Sequence, residues 1–172
     1  MGFAQDLEFK VDSIYLTGPT LGARVDKAAV TLPAAGGTVD LFTIAGGRVM
    51  LRSLVGQVTV QPGATGAVNA KLTHTPTTGA AAATDMCAVL DVKPDIVDTI
   101  YTITGGVGAA MADDAGEGVA VPSFDTTNKQ ILQPGTIKID VTDVGGIGDV
   151  VGAIKWTLHY IPIDDGATVV AA

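Results

Sequence analysis

Few residues of this chain have the type and spacing that catalysis requires. The two histidines, His74 and His159, have no cysteine, histidine or carboxylate at ligand spacing within their predicted strands, so neither indicates a metal site. The three serines, Ser13, Ser53 and Ser123, lie outside any Gly-x-Ser-x-Gly elbow, the turn that exposes a nucleophilic serine. The sequence therefore predicts neither a metal site nor a nucleophilic triad.

The single cysteine, Cys87, lies in the apolar run of residues 86–90, which is typical of a buried and unreactive thiol. One cysteine cannot form an internal disulfide, so the fold must be stabilised by packing and assembly. We therefore expect a protein that is not an enzyme and that has no catalytic residue, no cofactor and no metal.

A glycine-rich segment, residues 145–152, has the composition of a phosphate-binding loop. No Gly-x-Gly-x-x-Gly register fits it, strands are predicted on both sides, and no helix follows to offer its amide end. We therefore interpret it as a flexible turn. Weak calcium binding by Asp140, Asp143 and Asp149, or by residues 164–166, stays open as an alternative, although the spacing matches no EF-hand and such residues are common in turns.

The charge of the chain excludes several classes of partner. Eighteen acidic residues against ten basic ones give a formal net charge of −8, whose field repels nucleic acids and anionic membranes. Charged residues make up only 16% of the chain, so little of its surface is strongly hydrated. We expect no nucleic-acid or membrane partner, and a surface that neighbouring protein chains cover.

No segment predicts insertion into a membrane or export. The charge-free residues 53–70 are interrupted by glycine and proline, so they cannot form a spanning helix. Residues 1–8 lack the basic start and the continuous apolar run of a signal peptide. We expect a soluble protein that is made in the cytoplasm.

Glycine and proline separate short runs rich in valine, isoleucine, threonine and leucine, a pattern typical of many short strands. The predicted strands are residues 28–32, 38–44, 48–60, 70–75, 86–91, 99–104, 118–122, 130–132, 136–141 and 152–163. The sequence predicts an all-β fold: an antiparallel β-sandwich, jelly-roll-like, over residues 28–172, with an extended N-terminal arm over residues 1–27.

Alternation of side chains predicts which faces of two strands are buried. Every second residue of 136–141 is aliphatic, and residues 153–162 place Trp156 on the core face and His159 on the opposite face. Gly46 and Gly47 separate two strand-like runs, which predicts a hairpin.

Three local features complete the prediction of the fold. Gly56 inside the long run 48–60 predicts a bulge or bend at which the strand passes between sheets. Residues 93–98, with a proline at the second position, are compatible with one helical turn. Residues 109–117 predict an exposed acidic loop.

The arm carries apolar residues before the regular strand pattern begins. Phe3, Leu7 and Phe9 need cover, either from the protein's own sandwich or from a neighbouring chain, and the sequence leaves both alternatives open. We take these three as the candidate interface residues.

Three stretches carry a resemblance to a known group of proteins. They are residues 131–139 (ILQPGTIKI), 152–167 (GAIKWTLHYIPIDDGA) and 44–59 (IAGGRVMLRSLVGQVT). The chain resembles small structural proteins encoded in the virion gene clusters of tailed bacteriophages, and among these it is similar to head decoration, or cement, proteins. The resemblance implies a β-sandwich or jelly-roll module that binds the outside of the assembled head and stabilises it, often as a trimer.

The implied partners are the major capsid protein and further copies of the chain, and the implied location is the capsid surface of a virion assembled from protein made in the host cytoplasm. Two alternatives stay open. One is a host- or glycan-binding module of a phage fibre, although Tyr101, Trp156 and Tyr160 fall within predicted strands, where they are not free to stack on sugars. The other is a tail-tube or head-completion component.

Overall fold

Strands are the regular elements of the part of the chain that the structure describes. The structure, a computed structural model, describes residues 22–79, 82–114 and 129–172. Its strands are β1 (Ala23–Thr31), β2 (Gly37–Ala45), β3 (Val49–Gly63), β4 (Val68–Pro76), β5 (Thr84–Asp85), β6 (Leu90–Asp91), β7 (Ile100–Thr102), β8 (Ala112–Asp113), β9 (Ile131–Leu132), β10 (Gly135–Asp143), β11 (Val151–Pro162) and β12 (Thr168–Ala171). None of the described ranges contains a helix suited to crossing a bilayer.

The strands form two antiparallel sheets that pack face to face. Sheet A has the order β1-β11-β3-β7-β8, and β9 also pairs with β3. Sheet B has the order β12-β2-β10-β4-β5, and β6 also pairs with β4. Each pairing between these strands is antiparallel. The predicted all-β antiparallel sandwich is confirmed.

The order of the strands is that of a jelly roll, in which the chain winds as a ribbon folded back on itself. The first strand, β1, pairs with β11, and the second, β2, pairs with β10. On their far sides, β11 pairs with β3 and β10 pairs with β4. β7 and β5 extend the two sheets beyond β3 and β4, and β12 adds a strand beside β2. The jelly-roll-like prediction is confirmed.

The core lies between the inner faces of the sheets, as the alternation of β10 and β11 predicts. Ile137 and Ile139 are fully buried, whereas Lys138 between them is partly exposed. Trp156 is buried on β11, and His159 on the opposite face is partly exposed. Burying one face of each strand and hydrating the other stabilises this two-layer arrangement.

The predicted hairpin at Gly46 and Gly47 is wrong. β2 belongs to sheet B and β3 to sheet A, so this turn carries the chain from one sheet to the other. Gly46 has a φ of 75°, and a Cβ there would collide with the carbonyl oxygen of Gly166. Paired glycines thus predicted a tight turn correctly but not the strands that it joins.

Gly56 is not a crossing point between the sheets, so this prediction is also wrong. β3 stays in sheet A from Val49 to Gly63. Trp156 lies opposite Gly56 on β11, and a Cβ at position 56 would lie 2.8 Å from the indole ring. Glycine is needed here because the largest side chain of the core occupies the space above it.

Several shorter segments also differ from the sequence prediction. The strand predicted at 86–91 is confirmed only at its end, where Leu90–Asp91 form β6; β5 precedes the predicted range, and residues 93–98 form turns without a helix. Of the acidic loop predicted at 109–117, residues 109–114 are described and residues 115–117 are not; the described part includes β8, and Asp114, directly after β8, is buried. The edge strand β12 is an addition that the sequence analysis missed.

Parts of the prediction fall outside the described residues. They are the strand at 118–122 and the interface residues Phe3, Leu7 and Phe9. Strand β1 begins at Ala23, within the range assigned to the arm. The division into an arm and a sandwich stays a prediction.

Replacing Gly56 by alanine should destabilise the fold, because the added methyl group would displace the buried indole of Trp156. Overpacking of this kind costs about 1–3 kcal/mol of unfolding free energy. Gly63→Ala on the same strand is the control, since a Cβ there meets only Val151, at an ordinary 3.4 Å. Urea denaturation measures the difference, and equal midpoints for the two variants would contradict it.

An ion pair fastens the inter-sheet turn to the connection between β11 and β12. The carboxylate of Asp164 accepts hydrogen bonds from the Arg48 Nε at 2.9 Å, from its Nη2 at 2.7 Å and from its backbone amide at 2.7 Å. These bonds lower the pKa of Asp164 from 3.8 to about 2. The folded protein therefore binds the ionised carboxylate in preference to the protonated one.

Asp164→Asn should lower the melting temperature near neutral pH, because the amide keeps the shape but loses the charge. The pKa of Asp164 is lower in the folded protein than in the unfolded chain, so the stabilisation is complete above the unfolded pKa and is lost as pH falls toward about 2. Thermal melts across this range should show the two proteins converging in acid. Asp165→Asn at the exposed neighbouring position is the control, and a gap independent of pH would refute the assignment.

Candidate interaction surface

Four connections between strands meet at one end of the sandwich, and each of them crosses from one sheet to the other. They follow β1, β3, β6 and β10 and comprise residues 32–36, 64–67, 92–99 and 144–150. The amide of Val144 donates to the carbonyl oxygen of Ala67 at 3.1 Å, and the amide of Val150 donates to that of Ala34 at 3.1 Å. The loops therefore form one connected surface.

This end exposes a group of large aliphatic side chains, which we call the apolar end: Val60, Ile96, Val97, Val144, Ile147 and Val151. Their exposed fractions lie between 48% and 64%, and Ile147 has the highest value. Within the described residues they are six of the eleven large hydrophobic side chains that are exposed. Single exposed aliphatic residues are ordinary, but four on two loops of this end, with Val60 and Val151 on the adjoining strands β3 and β11, are typical of an interaction site.

Lys93 connects the β6–β7 loop, in which it lies, to the turn between β3 and β4. Its Nζ donates to the carbonyl oxygens of Ala64 at 2.5 Å, Gly66 at 2.9 Å and Thr65 at 3.3 Å. An ammonium group has three donors, and all three point into the turn between β3 and β4. The lysine thus holds the turn at residues 64–66 against the β6–β7 loop.

Two aspartates hold the glycine-rich turn between β10 and β11. Asp149 accepts hydrogen bonds from the amide of Thr65 at 2.7 Å and from its hydroxyl at 2.5 Å, and the hydroxyl bond contributes most to lowering the pKa of Asp149. Asp143 accepts the amides of Gly145 at 3.0 Å and Gly148 at 2.8 Å. The segment predicted as a flexible turn is a turn, but one with defined hydrogen bonds.

The apolar end has an acidic border. Asp91, Asp95, Asp98, Asp143 and Asp149 lie in its loops or at adjoining strand ends, against a single lysine, which gives a formal charge of −4. Burial raises the pKa of Asp95, and the hydroxyl of Tyr101, which donates to it at 2.6 Å, opposes that effect. The border therefore favours a positively charged partner.

The structure brings together Ser53 and His159, which the sequence analysis treated separately. The Ser53 Oγ lies 3.1 Å from the His159 Nδ1, across the pairing of β3 with β11. Both side chains are on the outward face of sheet A, where neighbouring backbone amides are used by the strand ladders. The contact is the kind of polar cross-strand pair that stabilises sheets.

His74 and Cys87 lie within the fold, away from the apolar end. The His74 Nε2 donates to the carbonyl oxygen of Gln133 at 3.0 Å, burial lowers the pKa of His74, and the ring borders a cleft of about 460 Å³. Cys87 is buried, as predicted, and its Sγ accepts the amide of Leu72 at 3.2 Å. Burial raises the pKa of this thiol, so the unreactive form is favoured.

The carboxylates considered for calcium are engaged separately. Asp140 lies 4.0 Å from the Lys71 Nζ, whereas Asp143 and Asp149 bind different loop groups and Asp164 binds Arg48. In the described ranges, no three metal-ligating side chains of the histidine, cysteine or carboxylate type come together.

Comparisons with known proteins add little to this geometry. No protein-family model matches the chain, and no curated protein matches it. A structure of the Gx strain of infectious bursal disease virus is similar over 87% of this chain and 36% of the viral one, with 14% sequence identity and a TM-score of 0.27. A likeness at that level does not indicate a function.

Lys93→Met should loosen the apolar end, because methionine keeps the length of the side chain but removes all three donors. A hydrogen bond to a charged group typically contributes about 1.5–3 kcal/mol to the free energy of unfolding. Because Lys93 is partly exposed, we expect the variant to lose an amount near the lower value. Lys155→Met, at an exposed position on β11, is the control. Hydrogen exchange should show faster amide exchange at residues 64–67 and 144–150 in the Lys93 variant alone. Unchanged exchange there would refute this role for Lys93.

Proposed function

We propose that this chain is a structural protein of a virus particle. Within that class we propose a head decoration protein, which binds the outer surface of the assembled capsid and stabilises it. Its partners are the major capsid protein and further copies of itself, as a homotrimer. No chemistry is assigned to it.

The observation that carries this proposal is a jelly-roll sandwich whose loops form a connected, exposed apolar end. Jelly rolls are used by viral capsid proteins and by lectins, so the strand order alone leaves both classes open. The resemblance of residues 131–139, 152–167 and 44–59 to phage virion proteins favours the first class.

The placement of the aromatic side chains also favours a structural role over sugar binding. Phe42, Tyr101, Trp156 and Tyr160 are the aromatic residues of the described ranges, and all are buried. Sugar sites stack pyranose rings on exposed aromatic faces, which these four do not offer. In contrast, the exposed aliphatic side chains suit contact with another protein.

A trimer would bind a particle more tightly than a single copy of such a module. Three copies on one capsid site act together, because the first contact raises the effective concentration of the other two. Modest affinity for each copy is then sufficient for lasting attachment. The low content of charged residues, 16%, is consistent with a surface that is covered in the assembly.

The proposal predicts that the purified chain is trimeric and binds head shells of the virus that encodes it, assembled without it. Mass photometry measures the first property and cosedimentation with empty shells measures the second. Rings or tubes in negative-stain images would favour a tail-tube or head-completion component instead. A glycan array with specific signals, or a monomer that ignores the shells, would overturn the assignment.

A further inference from the structure

We infer that the apolar end is the surface that docks on the capsid, and that it fits an apolar groove of the capsid protein with a basic rim. This inference rests on the proposed function and adds the surface and the chemistry of the partner to it.

The apolar side chains are placed for insertion into a groove. Val144 and Ile147 project from the β10–β11 loop, and Ile96 and Val97 from the β6–β7 loop, with exposed fractions from 48% to 64%. Val151 begins β11 directly behind the first of these loops. Transferring such side chains from water into an apolar groove provides the main favourable term in protein association.

The loops that carry these side chains are held in place before any partner binds. Lys93 binds the turn at residues 64–66, Asp149 binds Thr65 of the same turn, and Asp143 binds two amides of the β10–β11 loop. A surface ordered in advance loses little conformational entropy on binding. Exposed aliphatic residues on such a framework therefore suit a rigid protein lattice.

Charge decides among the possible occupants. The five aspartates and one lysine of this end give it a formal charge of −4, which repels anionic lipids and nucleic acids. A second copy docked end to end would bring −4 against −4, so self-association through this surface is disfavoured. A protein groove with lysine or arginine at its rim satisfies both the apolar centre and the acidic border.

The test compares binding of the full chain and its variants to empty head shells. Val144→Asp and Ile147→Asp should each weaken binding by at least about tenfold, because each would bury a carboxylate in the groove. Val170→Asp on β12 is the matched control, since Val170 and Val144 are both 55% exposed. It should bind within about twofold of the parent chain. Thermal melts establish that all three variants are folded.

A second variant tests the basic rim. Asp98 accepts a hydrogen bond from the Gln57 side chain at 2.7 Å, which an asparagine oxygen can also accept, so Asp98→Asn removes charge with little change of shape. It should weaken binding several-fold, and added salt should weaken binding of the parent chain more than that of the variant. If neither added salt nor Asp98→Asn changes binding, the inference that the partner has a basic rim is refuted.

The outcomes separate the two proposals. A parent chain that does not bind shells refutes the proposed function. A parent chain that binds, with Val144→Asp and Ile147→Asp binding equally well, refutes this docking surface alone. Loss of the trimer in Ile147→Asp would assign the surface to a second copy. If the parent chain binds phosphatidylcholine vesicles and Ile147→Asp does not, the apolar end would be assigned to a lipid surface.

Discussion

The pairing of β11 with β3 is the constraint on which the rest of the structure depends. It places the indole of Trp156 over Gly56, where only a residue without a side chain leaves room. The same register fixes where β11 starts and ends. Its start determines the position of the glycine-rich turn at the apolar end, and its end determines where Asp164 meets Arg48. A shift of register by one residue would turn the core face of β11 toward water.

The two ends of the sandwich differ in what their loops do. At one end, the ion pair of Arg48 with Asp164 joins the turn between the sheets to the last connection of the chain. At the other end, Lys93, Asp143 and Asp149 bind groups of the loops, and aliphatic side chains are exposed beside an acidic border. This exposure of aliphatic side chains is the reason that we propose binding at that end.

Much of the fold could be predicted from local patterns. The alternation around Ile137 and Trp156 gave the buried faces, and the density of short strand-like runs gave the class. Pairing partners could not be predicted in this way, because β1 and β11 are far apart in sequence and no local pattern links them. The turn at Gly46 and Gly47 illustrates the limit: glycine supplies the backbone conformation, whereas the destination of the chain depends on the whole topology.

The candidate surface was harder to predict than the fold. The predicted interface residues Phe3, Leu7 and Phe9 lie outside the described ranges and stay predictions. The apolar end was missed because glycine and aspartate around Ile147 are typical of an ordinary turn. The signal that could have indicated it is the isoleucine itself, a large aliphatic residue at a position where turns usually carry small or polar ones.

Lys93 supplies a cation to the turn between β3 and β4. Three carbonyl oxygens converge on one cation here, and backbone carbonyl oxygens are also among the ligands of calcium in proteins. Here the cation is covalently attached to the chain, so chelators cannot extract it and dilution cannot remove it. The turn at residues 64–66 is thereby held by a cation that the chain itself supplies.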